Sequence, residues 1–186
     1  MVRVHLYALF AAAFGAVVAI IPPSVPPTST ALSHTSLARA NIVPFYRAYS
    51  SNIRDHFYTT DRNELNNAVQ NLQYTAEGIA CRIQSMRVSG TVPLYRMYSQ
   101  RATDHFYTTS ATERDRAVQS LGYTDEGVAG YIYPQQAQPS LTPLYPLYSG
   151  RDTDHFYTIS ATERDNAVAR FGYSDEGIAG YAFPPE

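Results

Sequence analysis

One segment of this 186-residue chain recurs three times, at intervals of 49 and 50 residues marked by His56, His105 and His155. Residues 103–115 (TDHFYTTSATERD) and residues 153–165 (TDHFYTISATERD) differ at a single position. A period of this length is typical of a repeat architecture in which each unit is one group of secondary-structure elements. It therefore divides one domain, residues 41–186, into three units at about 43–91, 92–141 and 142–186.

Each unit predicts the same order of elements, which is two strands, a short helix and a third strand. The alternating side chains of PLYRMYS (residues 93–99) and DHFYT (residues 104–108) are typical of strands. In the last strand, Val128 and Ile132 are expected on a core-like face, where the first unit has Ile79, Cys81 and Ile83. Cys81 is therefore predicted to be a buried, unreactive thiol.

The helix of each unit has recognisable ends. In the second unit, SATE at residues 110–113 fits a capping box, in which the serine and the glutamate bond each other's backbone N–H groups. We expect Ala117, Val118 and Leu121 to form an apolar stripe on one side of the helix. The first unit has Gln73 where the others have a stopping glycine, so its helix is expected to fray or to close differently.

Three β-rich units of this size must bury their apolar faces against one another. Open solenoids usually have shorter β-units with capped ends, and propellers need four or more blades. A closed three-fold arrangement remains, and closure also removes free sheet edges. We therefore predict a mainly β protein with a β-trefoil or trefoil-like closed three-fold fold and a short helix in each repeat.

The first forty residues differ in character from the repeats. An apolar run at residues 6–21 precedes Pro22, Pro23 and a stretch rich in proline, serine and threonine, which predicts a signal peptide and leader over residues 1–40. A single N-terminal membrane anchor is the alternative, because the run is near the lower limit of spanning length. The expected protein is secreted and extracellular, without membrane association after processing. Its single cysteine excludes an intramolecular disulfide.

The order of these motifs carries a resemblance to a known family. The pattern PLYR, then DHFYTTS, then GYxxEGxAGY resembles the secreted repeat family catalogued as domain of unknown function 5648, over about residues 43–184. The resemblance implies an extracellular role and a lectin-like, β-trefoil-like protein, and it brings no activity with it. The chain departs from the family pattern at Cys81 and Arg82, which replace Gly-Tyr in the first unit, and at Pro146, which replaces arginine in the third.

Polar and aromatic residues repeated in every unit are the candidate ligand contacts. A sugar presents pairs of hydroxyls and one apolar ring face, so it suits a carboxylate beside an aromatic plane. We therefore predict a carbohydrate-binding, lectin-like module with up to three similar sites for a glycan or polysaccharide. The predicted ligand-binding residues are Asp55, His56, Tyr58, Glu77, Asp104, His105, Tyr107, Glu126, Asp154, His155, Tyr157 and Glu176.

The repeated residues are also compatible with functions other than glycan binding. The DHFYT elements could be structural in a protein-interaction or adhesion module, such as a secreted inhibitor or effector. Three histidines could meet as a zinc face, although no HxH or HExxH spacing supports a metal site. No nucleophile stands in a recognisable setting, so we predict no enzyme activity, no cofactor and no metal. A net charge of −2 without a basic cluster argues against nucleic acid as a partner.

Overall fold

The computed structural model describes residues 41–185, and the predicted signal peptide and leader at residues 1–40 lie outside them. The protein is mainly β, and each repeat holds two strands, a helix and closing strand segments. Within residues 41–185 no helix is both long and apolar enough to cross a membrane. The elements are β1 (Ile42–Ser50), β2 (Asp55–Thr59), α1 (Arg62–Asn71) and β3 (Thr75–Gln84); β4 (Val92–Ser99), β5 (Asp104–Thr108), α2 (Ala111–Ser120) and β6 (Thr124–Ile132); and β7 (Thr142–Ser149), β8 (Asp154–Thr158), α3 (Ala161–Asn166), a π-helical segment (Ala167–Phe171), β9 (Ser174–Asp175) and β10 (Gly180–Ala182).

The first strand of each repeat lies between the other strands of that repeat, and the strands of repeats one and two join into one six-stranded antiparallel sheet through β3 and β6. β1 lies between β2 and β3, β4 lies between β5 and β6, and β7 lies between β8 and the closing strands β9 and β10. Register in the first hairpin is the same in every repeat and sets a tyrosine opposite a histidine: Tyr49 and His56, Tyr98 and His105, Tyr148 and His155.

Three buried tyrosines, Tyr58, Tyr107 and Tyr157, bond one another across the repeats. Each hydroxyl donates to the backbone carbonyl of one neighbouring tyrosine and accepts from the backbone N–H of that same neighbour, at 2.7–2.9 Å. Their rings meet edge to face with centroids 5.4–5.6 Å apart. The contacts run from repeat to repeat in a cycle, so each repeat is bonded to both others.

The closing segments add a second set of contacts between repeats. Gln84 pairs with Tyr131, Tyr133 bridges to Tyr181, and Arg82 bridges to Phe183. Two of these contacts between repeats require glycine. A Cβ on Gly130 would lie 2.4 Å from the Ile83 side chain, and a Cβ on Gly180 would lie 2.6 Å from the Ile132 side chain. Repeat one carries Cys81 at this position, and the residue equivalent to the two isoleucines in repeat three is the smaller Ala182. The cysteine that departs from the family pattern is thus matched by a smaller side chain in the same buried cluster.

The closing strand has a core-like face along only half of its length. Register shifts between β1 and β3 and between β4 and β6 reverse the inward and outward alternation. Cys81 and Ile132 are buried as predicted, but the prediction is wrong for Ile79 and Val128, which are exposed. Burial raises the pKa of the Cys81 thiol to about 12, so the thiol stays protonated at neutral pH.

The helix caps follow the sequence prediction in part. Ser110 Oγ accepts from the backbone N–H of Glu113 at 3.2 Å, as a capping box requires. The Ser110 N–H, however, donates to the Thr108 hydroxyl, and that hydroxyl donates to Glu113. A threonine at the end of β5 therefore stands between the two halves of the box and holds the glutamate in place.

Of the three apolar residues predicted to share one side of α2, only Ala117 is buried, whereas Val118 and Leu121 are exposed. The prediction for the end of the first helix is wrong. Helix α1 does not fray, because Gln73 adopts the left-handed conformation (φ 63°) that Gly122 adopts in repeat two. The segment that follows each helix consequently leaves in the same direction.

Candidate functional site

Each predicted histidine is bound by an aspartate from a different repeat. The backbone N–H of His56 donates to Oδ1 of Asp154 at 2.8 Å, and Nδ1 of His56 lies 2.6 Å from Oδ2 of that carboxylate. The same geometry, at 2.6–2.9 Å, recurs in Asp55 with His105 and in Asp104 with His155. The repeated aspartate and histidine therefore join one repeat to another.

The three aspartates are fully buried and close together, with ligand oxygens all within 4.8 Å of one another. Among residues 41–185 they form the group with metal-ligand spacing, and the three histidines do not. Each carboxylate also accepts a hydrogen bond from a tyrosine O–H. Donors within the protein therefore satisfy the hydrogen-bonding capacity of these buried carboxylates. Burial, and after it the neighbouring carboxylate, raises the pKa of these tyrosines, which are Tyr74, Tyr123 and Tyr173.

Half of the twelve predicted ligand contacts face the interior. Asp55, Asp104 and Asp154 hold histidines, and the tyrosines of the DHFYT segments hold one another. The structure does not bring these six side chains to the surface. The residues that it does bring to the surface are the predicted histidines, in part, and the predicted glutamates.

All three histidine rings point Nδ1 towards an aspartate, and His56 and His105 also point Nε2 towards a glutamate. A carboxylate accepts hydrogen bonds, so the geometry assigns a proton to Nδ1. Nε2 of His56 lies 4.0 Å from Oε2 of Glu77, and the ring lies between Tyr49 and Phe156 with centroids 4.4 and 4.8 Å away. The His56 side chain is 12% exposed, so a ligand can reach only its edge.

Three clefts lie where repeats meet. Cleft 1, between repeats three and one, has a volume of about 1030 Å³. Cleft 2, between repeats one and two, has about 400 Å³, and cleft 3, between repeats two and three, has about 440 Å³. The predicted residues that line them are His56 and Glu77 in cleft 1, His105 and Glu126 in cleft 2, and His155 and Glu176 in cleft 3.

An arginine connects the two sides of cleft 1. Nη1 and Nη2 of Arg47 donate to both carboxylate oxygens of Glu163, at 3.2 and 3.0 Å. Nε of Arg47 lies 2.8 Å from Oε2 of Glu77, close enough for an ion pair although its N–H is not aligned for a hydrogen bond. Burial would raise the pKa of Glu163, but the bonds from Arg47 and Thr158 outweigh it and lower that pKa. Cleft 1 therefore has a fixed, charged floor.

Sequence reasoning missed several residues of cleft 1, namely Arg47, Tyr49, Asp152 and Phe171. Phe171 had a visible signal, because the equivalent residues of repeats one and two are Leu72 and Leu121. An aromatic ring at one copy of a repeated surface position is a mark of a site used by that copy alone. Arg47 lies in a strand that the sequence predicts, but Glu163, which accepts two of its hydrogen bonds, comes from another repeat.

Comparison with known proteins gives one match. The family model described as "Domain of unknown function (DUF5648)" matches residues 44–183, which is most of the chain. No curated protein and no solved structure matches.

Proposed function

We propose that this chain, which belongs to the DUF5648 family, is a carbohydrate-binding protein whose main site is cleft 1. The observation that carries the proposal is Phe171, an aromatic ring that is 64% exposed at the edge of the largest cleft. Exposed large apolar rings beside polar groups suit the two faces of a sugar, since the ring covers C–H groups and the polar groups bind hydroxyls.

The polar lining of cleft 1 supplies both donors and acceptors for hydroxyl pairs. Glu77 and Glu163 accept, while Arg47, between them, fixes their positions. Asp152 and Arg151 form an ion pair on another side of the cleft and add a second carboxylate and a guanidinium that can bind hydroxyls. Because ion pairs already hold these groups in place, little conformational entropy is lost when a ligand binds, which favours binding.

In this proposal the buried predicted residues position the site without touching the sugar. Asp154 comes from repeat three and orients His56 of repeat one. It therefore fixes the relative position of the two walls of cleft 1. Cleft 2 has an equivalent tyrosine, histidine and glutamate around a smaller volume, with Arg96 paired to that glutamate beside it, and it serves as a second, weaker site.

The proposal extends to architecture and location. A closed three-fold, trefoil-like arrangement is supported by the cyclic tyrosine contacts and by the cyclic aspartate–histidine contacts. Secretion is supported by the apolar run at residues 6–21, which is followed by Pro22 and Pro23. A closed arrangement and secretion are both consistent with a stable module that binds glycans outside the cell.

A substitution of Phe171 tests the site directly. Phe171→Ala should lower glycan affinity about tenfold or more while leaving the thermal midpoint nearly unchanged, because the ring is exposed. Leu121→Ala is the matched control, since Leu121 occupies the same position in repeat two and is 58% exposed. A glycan array would find the ligand, and calorimetric titration would compare the variants. Absence of any glycan signal, or equal loss in both variants, would reject the proposal.

Protein interaction is the second candidate, and a specific observation favours it. Exposed apolar side chains recur in each repeat, as Leu72 with Ile79, Leu121 with Val128, and Phe171 with Ile178. Such side chains also suit a protein partner. If a binding partner were lost equally in Leu72→Ala, Leu121→Ala and Phe171→Ala, a repeated protein-binding surface would replace the glycan site.

Binding without catalysis is part of the proposal. An aspartate that orients a histidine also occurs in hydrolases, where the histidine takes a proton from a nucleophile. Among residues 41–185 no serine hydroxyl or thiol is hydrogen-bonded to His56, His105 or His155. Nε2 of His56 instead lies beside Glu77, which is paired with Arg47.

A further inference from the structure

Cleft 1 contains a guanidinium group held by a three-part cradle, and an equivalent guanidinium group lies between cleft 2 and a small adjoining pocket. At cleft 2, Arg96 donates to both carboxylate oxygens of Glu64 at 3.0 and 2.9 Å, and its Nε lies 2.9 Å from Glu126. Its guanidinium carbon lies 5.6 Å from the centroid of Phe57. In cleft 1 the cradle for Arg47 is equivalent, and its guanidinium lies 5.1 Å from the ring of Phe156.

Cleft 3 keeps the cradle and lacks the arginine. Its equivalent position is Pro146, while Glu113, Glu176 and Phe106 all line the cleft. The Thr108 hydroxyl donates to Glu113, as the equivalent threonines do in the other two clefts, so this carboxylate is already oriented. The volume of the cleft is about 440 Å³.

The aromatic part of the cradle is uncovered. Phe57 and Phe156 are buried under Arg96 and Arg47, whereas Phe106 is only partly buried. A partly exposed aromatic face beside two carboxylates attracts a planar cation, because the ring face is negative and carboxylates bind a guanidinium through two parallel bonds. The same three groups bind a guanidinium in two clefts of this protein, which identifies the group that suits the third.

We infer that cleft 3 binds a guanidinium cation from a ligand, in the place that Arg47 and Arg96 fill in the other clefts. The chemical class is the arginine side chain, as the free amino acid or in a peptide. Guanidinium is favoured over an ammonium group because the cradle is planar and bidentate, and an ammonium group is a point charge. The inference does not depend on glycan binding in cleft 1.

Other charged groups around cleft 3 affect how tightly the site binds a guanidinium and which arginine-containing ligands it prefers. Arg116 lines the cleft, where the equivalent residues of the other repeats are Asn67 and Asn166, and it makes no ion pair within residues 41–185. It repels a guanidinium but can pair with the carboxylate of an arginine ligand. His155 also lines the cleft, and its Nδ1 is bonded to Asp104. For an exposed pair of carboxylates, affinity for free arginine should be on the order of 1 mM.

A titration with L-arginine tests the site, with amide chemical shifts as the readout. Saturable shifts should centre on Glu176 and Ile178, and L-citrulline, the neutral analogue of the same shape, should produce none. Pro146→Arg supplies the missing group from the protein and should weaken arginine binding about tenfold or more. Pro146→Gln is the matched control that changes the backbone without supplying a guanidinium, and it should retain binding.

Two further variants keep the inference testable if Pro146→Arg does not fold. Glu176→Gln should weaken arginine binding several-fold, and Arg96→Ala should create a second arginine site by emptying the cradle of cleft 2. A peptide with one internal arginine, compared with the free amino acid, separates the two sources: tighter binding of free arginine points to a contact between its carboxylate and Arg116. Equal responses to arginine and citrulline, or arginine binding unaffected by both Pro146→Arg and Glu176→Gln, would overturn the inference.

Discussion

The centre of the molecule is alike in all three repeats, and the clefts around it are not. At the centre, the tyrosines of DHFYT bond one another, and each histidine takes an aspartate from a different repeat. In the clefts, Phe171 stands where two repeats have leucine, and Pro146 stands where two repeats have arginine. A residue that bonds its own counterpart in the next repeat must be the same in each copy, whereas a cleft residue is free to differ. In this protein, identity between copies marks the assembly, and difference marks the ligand sites.

High pH should disrupt the centre more than any single substitution. Burial raises the pKa of Tyr58, Tyr107 and Tyr157 well above the ordinary value of 10. Above pH 10 the unfolded chain loses these protons and the folded protein keeps them, so stability is full below pH 10 and falls as the pH rises. Each group contributes about 1.4 kcal/mol per pH unit, which gives a loss of about 4 kcal/mol per unit for these three. Tyr74, Tyr123 and Tyr173, whose pKa is also raised by burial, add to the loss over the same range.

Urea unfolding between pH 8 and pH 11 measures this loss. Cys81, with a pKa raised to about 12, adds a smaller decrease that begins near pH 9, and Cys81→Ala should remove only that part. An unfolding midpoint that stays constant up to pH 11 would contradict the role given to the buried tyrosines.

Removal of one central carboxylate should have the next largest effect. Asp104→Ala leaves the N–H and Nδ1 of His155 and the hydroxyl of Tyr123 without their acceptor. We expect a loss of about 3 kcal/mol in the free energy of unfolding, at the lower end for a broken buried pair because repulsion among the three aspartates is also relieved.

The exposed Asp125 provides the control for this substitution. Its carboxylate accepts from the backbone N–H of Gly127 at the surface, so Asp125→Ala should cost less than about 1 kcal/mol. Equal losses in the two variants, measured by urea unfolding, would mean that the centre is no more important for stability than a surface turn.

Loss of a single central hydroxyl should be milder. Tyr107→Phe keeps the ring but removes the bond to the Tyr58 carbonyl and the acceptor for the Tyr58 N–H. The expected cost is about 2 kcal/mol, since two buried backbone groups lose their partner. Tyr95→Phe is the control, because the Tyr95 hydroxyl makes no hydrogen bond within residues 41–185, and thermal unfolding should separate the two variants. Similar midpoints would argue that the cyclic bonds add nothing to the packing of the rings.

Prediction from sequence succeeded where a signal is local. The order of elements, the serine cap at Ser110 and the burial of Cys81 and Ile132 follow from spacing and periodicity within one repeat. It failed where one added residue in a strand reverses the faces, as at Val128, because a bulge leaves no mark in the hydrophobic pattern. It also failed at Gln73, which adopts a glycine conformation that its side chain does not predict.

The candidate site was predicted in part for the same reason. His56 and Glu77 were named as ligand residues and do line a cleft, but the partners that complete it, Phe171 and Glu163, come from another repeat. Spacing along the chain contains no information about which repeat meets which. Sequence alone predicts the repeated aspartate as a ligand contact, whereas in the structure it is buried and its oxygens accept from a histidine of another repeat.

The smallest expected effect concerns the difference between cleft 3 and the other clefts. Pro146 has no N–H, and the closing strand beside it is split into β9 and β10, whereas β3 and β6 are continuous. Pro146→Gln restores the N–H without a charge, and Pro146→Arg restores both the N–H and the bridge between Glu113 and Glu176. Pro146→Arg should be more stable than Pro146→Gln by less than about 1 kcal/mol, because the ion pairs are partly exposed. The difference should shrink in high salt, since salt screens exposed charges. Equal stability of the two variants in urea at low salt would mean that the arginine bridges of clefts 1 and 2 orient the cleft walls without stabilising the fold.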